Sequence, residues 1–278
     1  MMIKRPFFQQ FFEQVKKDPL LDWAATLAYY FMLSIFPLMI FMLALLPYFP
    51  LNPGQLYEFV NDYIPGELGE LFTATVLEVV TEPQGGLLSI GILATVWSAS
   101  NGVNALIRSI NRAYNIEETR HFFQLRILSI VMTLGMIIVI VATLLMPVFG
   151  HVIIETLETF FLLPSDTASF LQILRWVIGI GLMTIVLMVL YALAPNVHLR
   201  LRDVMVGAIF ATTGWQLISY GFSVYISNFG NYTATYGSLG GVIILMLWFF
   251  LSGLILVLGG EVNATLYRLH LKSQPIKK

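Results

Sequence analysis

The chain contains no cysteine. Disulfides, thiolate catalysis and cysteine-ligated zinc or iron–sulfur centres are therefore excluded. Charge is scarce: Asp, Glu, Lys and Arg make up 11% of the residues, against about 25% in a soluble domain. The four histidines, His121, His151, His198 and His270, are dispersed, and none belongs to an HExxH-type ligand cluster. No GxSxG elbow and no Walker phosphate loop occurs. The sequence thus supports neither a metal-dependent nuclease nor an ATP-driven pump, and it implies no cofactor. The N-terminus has basic residues but no long apolar core or small-residue cleavage site, so no cleavable signal is expected.

What remains is apolar. Hydrophobic residues form 58% of the 278, which implies an all-α polytopic membrane protein forming one integral domain over residues 1–278. Six apolar segments stand out, at about 24–49, 86–107, 127–149, 171–194, 204–227 and 240–262. The first contains Pro37, which predicts a kink. The fifth carries Gly207, Gly214 and Gly221 seven apart, near one face, where a neighbouring helix can approach closely. Before the first span, Phe7, Phe8, Phe11 and Phe12 precede Lys16 and Lys17. A short amphipathic helix there suits the membrane surface or a seat on the protein. The 50–85 connection is too long for a plain loop, and its apolar spacing predicts one or two short extracytoplasmic helices, as a cap or a lid.

The signs of charge are segregated. Lys4, Arg5, Lys16, Lys17, Arg108, Arg112, Arg120, Arg126, Arg200, Arg202, Arg268, Lys272, Lys277 and Lys278 all fall on one side of a six-span arrangement. Only Arg175 falls near the other. The opposite connections carry Glu58, Asp62, Glu67, Glu70, Glu78, Glu82, Glu155, Glu158 and Asp166. The positive-inside rule then predicts cytoplasmic N- and C-termini. Three spans followed by three would leave the halves inverted, an arrangement of many secondary transporters, although the halves do not align with one another.

Three stretches carry candidate function. In Trp97–Asn115, Asn101, Asn104, Arg108, Asn111, Arg112 and Asn115 recur at spacings of three and four and form one helical stripe. Val103, Leu106, Ile107, Ile110 and Tyr114 form the opposite stripe. Gly86–Ser100 is too short to cross a bilayer, which takes roughly 20 residues, so Asn101, Asn104 and Arg108 are drawn towards the membrane. Such groups either line a polar cavity or leave along the headgroups. The second stretch, 227–241, carries Asn231, Tyr232 and Tyr236 on an uncharged, glycine-rich connection. It suits either a substrate mouth or a tight re-entrant turn. The third contains Glu261 and Asn263 at the inner end of the last span. Glu261 has two readings: a proton-coupling carboxylate, or a structural one, as half of an ion pair with Arg108 or Arg112 or simply exposed at the interface. Asp22, just before the first span, has the same two readings. Tyr29, Tyr30 and Ser34 are placed towards the bundle interior.

The pieces DWAATLAYYFMLSIFPL (22–38), WSASNGVNALIRSINRAYN (97–115), LAPNVHLRLRD (193–203), NFGNYTATYGSLGGVI (228–243) and LGGEVNA (258–264) resemble the YihY/BrkB family of bacterial inner-membrane proteins. The resemblance covers most of the chain except residues 50–85 and the two tails. It implies six spans, cytoplasmic termini and an inner-membrane location. The family's historical ribonuclease BN label is not supported by these residues. The expected activity is a non-ATP-driven transporter or flippase for an anionic or lipid-like substrate. Asn101, Asn104, Arg108, Asn111 and Arg112 would form its inner polar wall, Asn231, Tyr232 and Tyr236 its mouth, and Glu261 with Asp22 its coupling groups. The expected partners are membrane lipids and an anionic small molecule or lipid, with no nucleic acid. The alternative is an envelope scaffold that moves nothing.

Overall fold

The structure, a computed structural model, describes residues 6–45, 85–137, 165–229 and 238–273. Seven helices occur among them: α1 (Phe7–Lys17), α2 (Leu20–Leu45), α3 (Gly85–Tyr114), α4 (Phe122–Ile137), α5 (Ser165–Leu193), α6 (Leu201–Phe229) and α7 (Ser238–Ser273). No strand occurs among the described residues. Four of the helices contain stretches long and apolar enough to cross a membrane: Leu20–Phe41, Gly85–Tyr114, Trp176–Leu193 and Gly240–His270. The expected extracytoplasmic helices of 50–85, and Asn231, Tyr232 and Tyr236, lie outside the described residues.

The chain divides into two compact units, Met1–Tyr29 with Ser100–Lys278, and Tyr30–Ala99. In the smaller unit α2 runs on through Pro37, and the N-terminal half of α3 comes close enough that a Cβ on Gly91 would sit 2.9 Å from Phe41 Cα. Only glycine admits that approach.

The larger unit holds the buried core. Val103, Leu106, Ile107, Ile110 and Tyr114 are all buried, as their helical spacing predicts. Helices α5, α6 and α7 pack in series. Gly207 on α6 lies against Gly259 on α7, and its N–H donates to Asn263 Oδ1 at 2.7 Å. One turn-pair further along, Ile255 Cδ1 lies 3.0 Å from where a Gly214 Cβ would stand. Gly221 faces open space, so the expected glycine face is a contact at two positions of its three. Where α5 passes α7, the Tyr191 hydroxyl donates to Leu256 O at 2.7 Å, which satisfies a fully buried phenol.

Helix α1 docks on α7 while Phe8 and Phe12 stay largely exposed and Gln10 is buried. A seat on the protein is thus the alternative the structure shows, and Phe7 and Phe11 are half-buried. Tyr29, placed inward by the sequence reading, is 55% exposed. Ser34 Oγ bonds back to Phe31 O at 2.7 Å.

Helix α3 ends in a hydrogen-bonded αL stop. Asn115 has φ 56, its N–H donates to Arg112 O, and the Ile116 N–H donates to Asn111 O, both at 2.9 Å. This is the Schellman pattern, with Asn in place of the usual glycine. We expect Asn115→Gly to be neutral or stabilising and Asn115→Val to destabilise by about 1–2 kcal/mol, because a β-branched side chain resists positive φ. Thermal unfolding in detergent distinguishes the two.

Candidate functional site

The C-terminal turns of α3 meet the start of α2, the C-terminal part of α7 and the connection after α5, all within the larger unit. This end carries most of the described basic residues, and the polar stripe of α3 arrives there divided in two.

One part is consumed by internal bonds. Asn101 Oδ1 accepts from Arg126 Nη1 at 2.6 Å. Asn111 is buried; its Nδ2 donates to Glu118 Oε2 and its Oδ1 accepts from the Asn196 N–H, both at 2.8 Å. Asn196 Nδ2 in turn donates to Thr119 Oγ1 at 2.6 Å. Arg120 completes this clasp. Its Nη1 donates to Ala194 O at 3.0 Å, and its Nη2 donates to Leu193 O at 3.2 Å and Pro195 O at 2.9 Å. These are carbonyls that the end of α5 leaves without helical partners, and a fixed guanidinium fork can serve several at once. Arg120→Ala should therefore cost about 1–3 kcal/mol, and hydrogen exchange should rise first at 190–196.

The other part stays open. Arg108 and Arg112 are exposed, and among the described residues neither meets a carboxylate; Arg108 Nη1 donates to Asn104 Oδ1 at 3.1 Å. Both line a cleft of about 160 Å³ with Trp23, Thr26, Ala105 and Ser109. A second cleft, of about 380 Å³, adjoins it and is lined by Asp18, Pro19, Trp23, Arg112, Asn115, Ile116 and Glu117. Trp23 and Arg112 border both. Asp22 is exposed in the first turn of α2, and its backbone carbonyl accepts from Thr26 Oγ1 at 2.8 Å. Its position suits the positive end of the helix dipole.

Beneath lies a buried ion pair. Glu261 is fully buried and its Oε1 accepts from Arg268 Nη2. The other terminal nitrogen of Arg268, Nη1, donates to Ala113 O near the end of α3. Thr265 Oγ1 accepts from Nη2 at 3.2 Å. The partner of Glu261 is thus Arg268, seven residues along the same helix, and not Arg108 or Arg112. Glu261 Oε2 has no hydrogen-bond partner among donors fixed by the structure, yet the Asp18 side chain stands within hydrogen-bonding reach of Glu261.

Burial raises the Asp18 pKa above the ordinary carboxylate value, against the lowering influence of Arg268 and Lys17 and of its bond to Glu261. A carboxyl whose folded-state pKa is raised favours folding when protonated. Its contribution is complete below the unfolded value, 3.8, and is lost as pH rises through the raised one. Asp18→Asn should accordingly raise the melting temperature at neutral pH and flatten its decline between acidic and neutral pH.

Arg268, Asp18, Arg120 and Asn196 are the residues of this region that sequence patterns alone did not single out. Among the described residues no group of three or more His, Cys, Asp or Glu is placed to hold a metal ion.

Comparison with known proteins places this arrangement. The profile of the family described as virulence factor BrkB matches residues 11–278. The chain belongs to the BrkB virulence factor family. This BrkB-family chain is 46% identical over 246 residues to a ribonuclease-like protein, YfkH, of Bacillus subtilis (strain 168), covering 88% of the chain and 89% of that protein. It is 28% identical over 273 residues to a UPF0761 membrane protein of Tolumonas auensis, covering 94% and 85% respectively. A UPF0761 membrane protein of Photobacterium profundum, PBPRA3489, is 29% identical over 257 residues, covering 91% and 78%. No solved structure matches the chain. The BrkB-family chain is therefore a membrane protein, and its apolar helices agree with that.

Proposed function

We propose that this protein is a non-ATP-driven transporter or flippase of the bacterial inner membrane, acting on an anionic or lipid-like substrate. In this reading the chain is one integral membrane domain with six spans and both termini in the cytoplasm. The segregation of basic residues supports that arrangement, and the described helices supply four candidate spans towards it. The observation that carries the functional reading is the cleft that presents Arg108 and Arg112 without carboxylate partners among the described residues. Two guanidiniums on adjacent helical turns can hold a phosphate or carboxylate by paired N–H donors. A structural arginine would instead be occupied, as Arg120 and Arg268 are. Glu261 and Asp22 are the groups that would exchange a proton with the cytoplasm, and the mouth would be formed by Asn231, Tyr232 and Tyr236.

The scaffold reading draws on a specific observation as well. Asn101 and Asn111 are bonded internally, so two of the five residues of the expected polar wall are construction rather than lining. The ribonuclease-like name borne by the Bacillus relative is not carried over.

The test is transbilayer movement of a fluorescent phospholipid in ATP-free vesicles containing the purified protein. Reductant added outside bleaches the outer leaflet, and the protected fraction reports flipping. The proposal expects bleaching well beyond half of the label, with a rate reduced about tenfold or more by Arg108→Ala with Arg112→Ala, as the loss of a charge-assisted bond implies. Bleaching that stops at the level of protein-free vesicles, for several lipid headgroups, would favour the scaffold.

A further inference from the structure

The two adjoining clefts differ in charge, and this difference selects among anionic cargoes. The smaller offers Arg108 and Arg112. The larger offers Asp18 and Glu117, with Arg112 on the shared border. Among the described residues the Glu117 side chain has no ion-pair partner, and only its backbone carbonyl is engaged, by Asn196 Nδ2. A plain anion filling both clefts would face two carboxylates, and a plain cation would face two guanidiniums. Like charges at close range disfavour either. A molecule with an anion at one end and a cation at the other meets favourable charge throughout.

We infer that the paired clefts form a single site for a phosphate ester that carries a primary ammonium, with the phosphate at Arg108 and Arg112 and the ammonium between Asp18 and Glu117. The inference rests on the transport reading above and names its cargo class. Three features of the site fit that chemistry. The guanidiniums suit a phosphate oxygen pair. Carboxylates suit an ammonium, whose three N–H groups all donate. The larger cleft has volume for roughly a dozen waters, room for a short aminoalkyl chain with some of its hydration. Trp23, buried and bordering both clefts, supplies the apolar wall between the charged ends. An ethanolamine headgroup on a lipid and free phosphoethanolamine share this chemistry.

The test is native mass spectrometry of the full-length protein in detergent with equal amounts of phosphatidylethanolamine and phosphatidylglycerol, and separately with soluble phosphoethanolamine. Wild type, Glu117→Gln and Arg108→Ala are compared. Both substituted positions are exposed, so the fold is preserved, and melting temperature checks this. The expected result is retention of the ethanolamine lipid over the glycerol lipid by about tenfold, as charge-assisted bonds to two carboxylates imply. Glu117→Gln should bring that ratio close to one, and Arg108→Ala should remove both lipids. Retention of phosphoethanolamine with the same dependence on Glu117 would support the site and name the soluble molecule as its occupant. Equal retention of both lipids by wild type, lost in Arg108→Ala, would overturn the zwitterion assignment and leave the transport reading standing. Retention unaffected by Arg108→Ala would overturn the site itself, while lipid flipping in vesicles reports separately on transport.

Discussion

Replacing Arg268 with alanine is expected to destabilise the folded protein by about 3–5 kcal/mol, the cost of leaving a buried charge without its partner. Glu261 is fully buried, and among the described residues Arg268 is the cation that pairs with it. The same arginine holds Ala113 O at the end of α3, so its removal also frees a carbonyl there. Arg268→Lys should recover only part of the loss, because an ammonium lacks the planar fork that spans Glu261 and Ala113. Glu261→Gln should be milder than Arg268→Ala, since an amide oxygen still accepts from Arg268 and no charge is stranded in the protein interior. Joint replacement, Glu261→Leu with Arg268→Leu, should be less damaging than the sum of the single changes, because neither side chain is then stranded. Unfolding in detergent, followed by thermal melting or graded denaturant, measures all four. Equal stability of wild type and Arg268→Ala would show that the pair does not hold α3 and α7 together.

The second large effect is at Gly207. A Cβ there would overlap the Gly259 carbonyl oxygen and the Asn263 amide. Neither is the yielding end of a flexible side chain: one is backbone, and the other is fixed by its bond to the Gly207 N–H. Gly207→Ala must push α6 away from α7, at about 1–3 kcal/mol for overpacking, together with the strained Asn263 bond. Gly207→Leu should leave little folded protein. Gly221 is the control on the same helix. Nothing stands where its Cβ would go, so Gly221→Ala should be neutral or gain about 0.5–1 kcal/mol from helix propensity. Monodisperse yield after detergent extraction separates these outcomes.

The contrast between Gly207 and Gly221 shows how much of this fold can be read from sequence. Spacing alone places Gly207, Gly214 and Gly221 near one face but does not say where the neighbouring helix leaves that face. The buried stripe Val103 to Tyr114 was legible because helical periodicity and burial are the same fact seen twice. The polar stripe opposite was legible as a stripe and not as a division. Asn111 and Arg112 are neighbours in sequence, yet one is locked into the clasp with Glu118 and Asn196 while the other borders both clefts. That outcome depends on the connection after α5, more than 80 residues away. Arg120 gave no sign beyond its charge, because its acceptors are backbone carbonyls and carry no residue code. Arg268 was hidden differently. Its partner lies two turns back on the same helix, beyond the three- and four-residue spacing at which helical ion pairs are sought. Asp18 sits on a short connector, where no periodic pattern applies.

The division of the stripe also narrows what the protein can do. Arginines bound to helix-end carbonyls and to a buried carboxylate build the basic end; Arg108 and Arg112 are left over from that construction. The account stands or falls on whether their cleft is open to the cytoplasm. Because the chain has no cysteine, a single Ser109→Cys in the wall of that cleft can be probed without background. The measurement is its reaction rate with a membrane-impermeant thiol reagent, in right-side-out and inside-out vesicles. The account predicts rapid labelling from the cytoplasmic face alone, slowed by a phosphate-bearing ligand and no longer slowed when Arg108 and Arg112 are alanine. A thiol at position 109 that stays unreactive from both faces, while Thr26→Cys on the opposite wall labels normally, would mean that the stripe is packed dry and that no substrate reaches it.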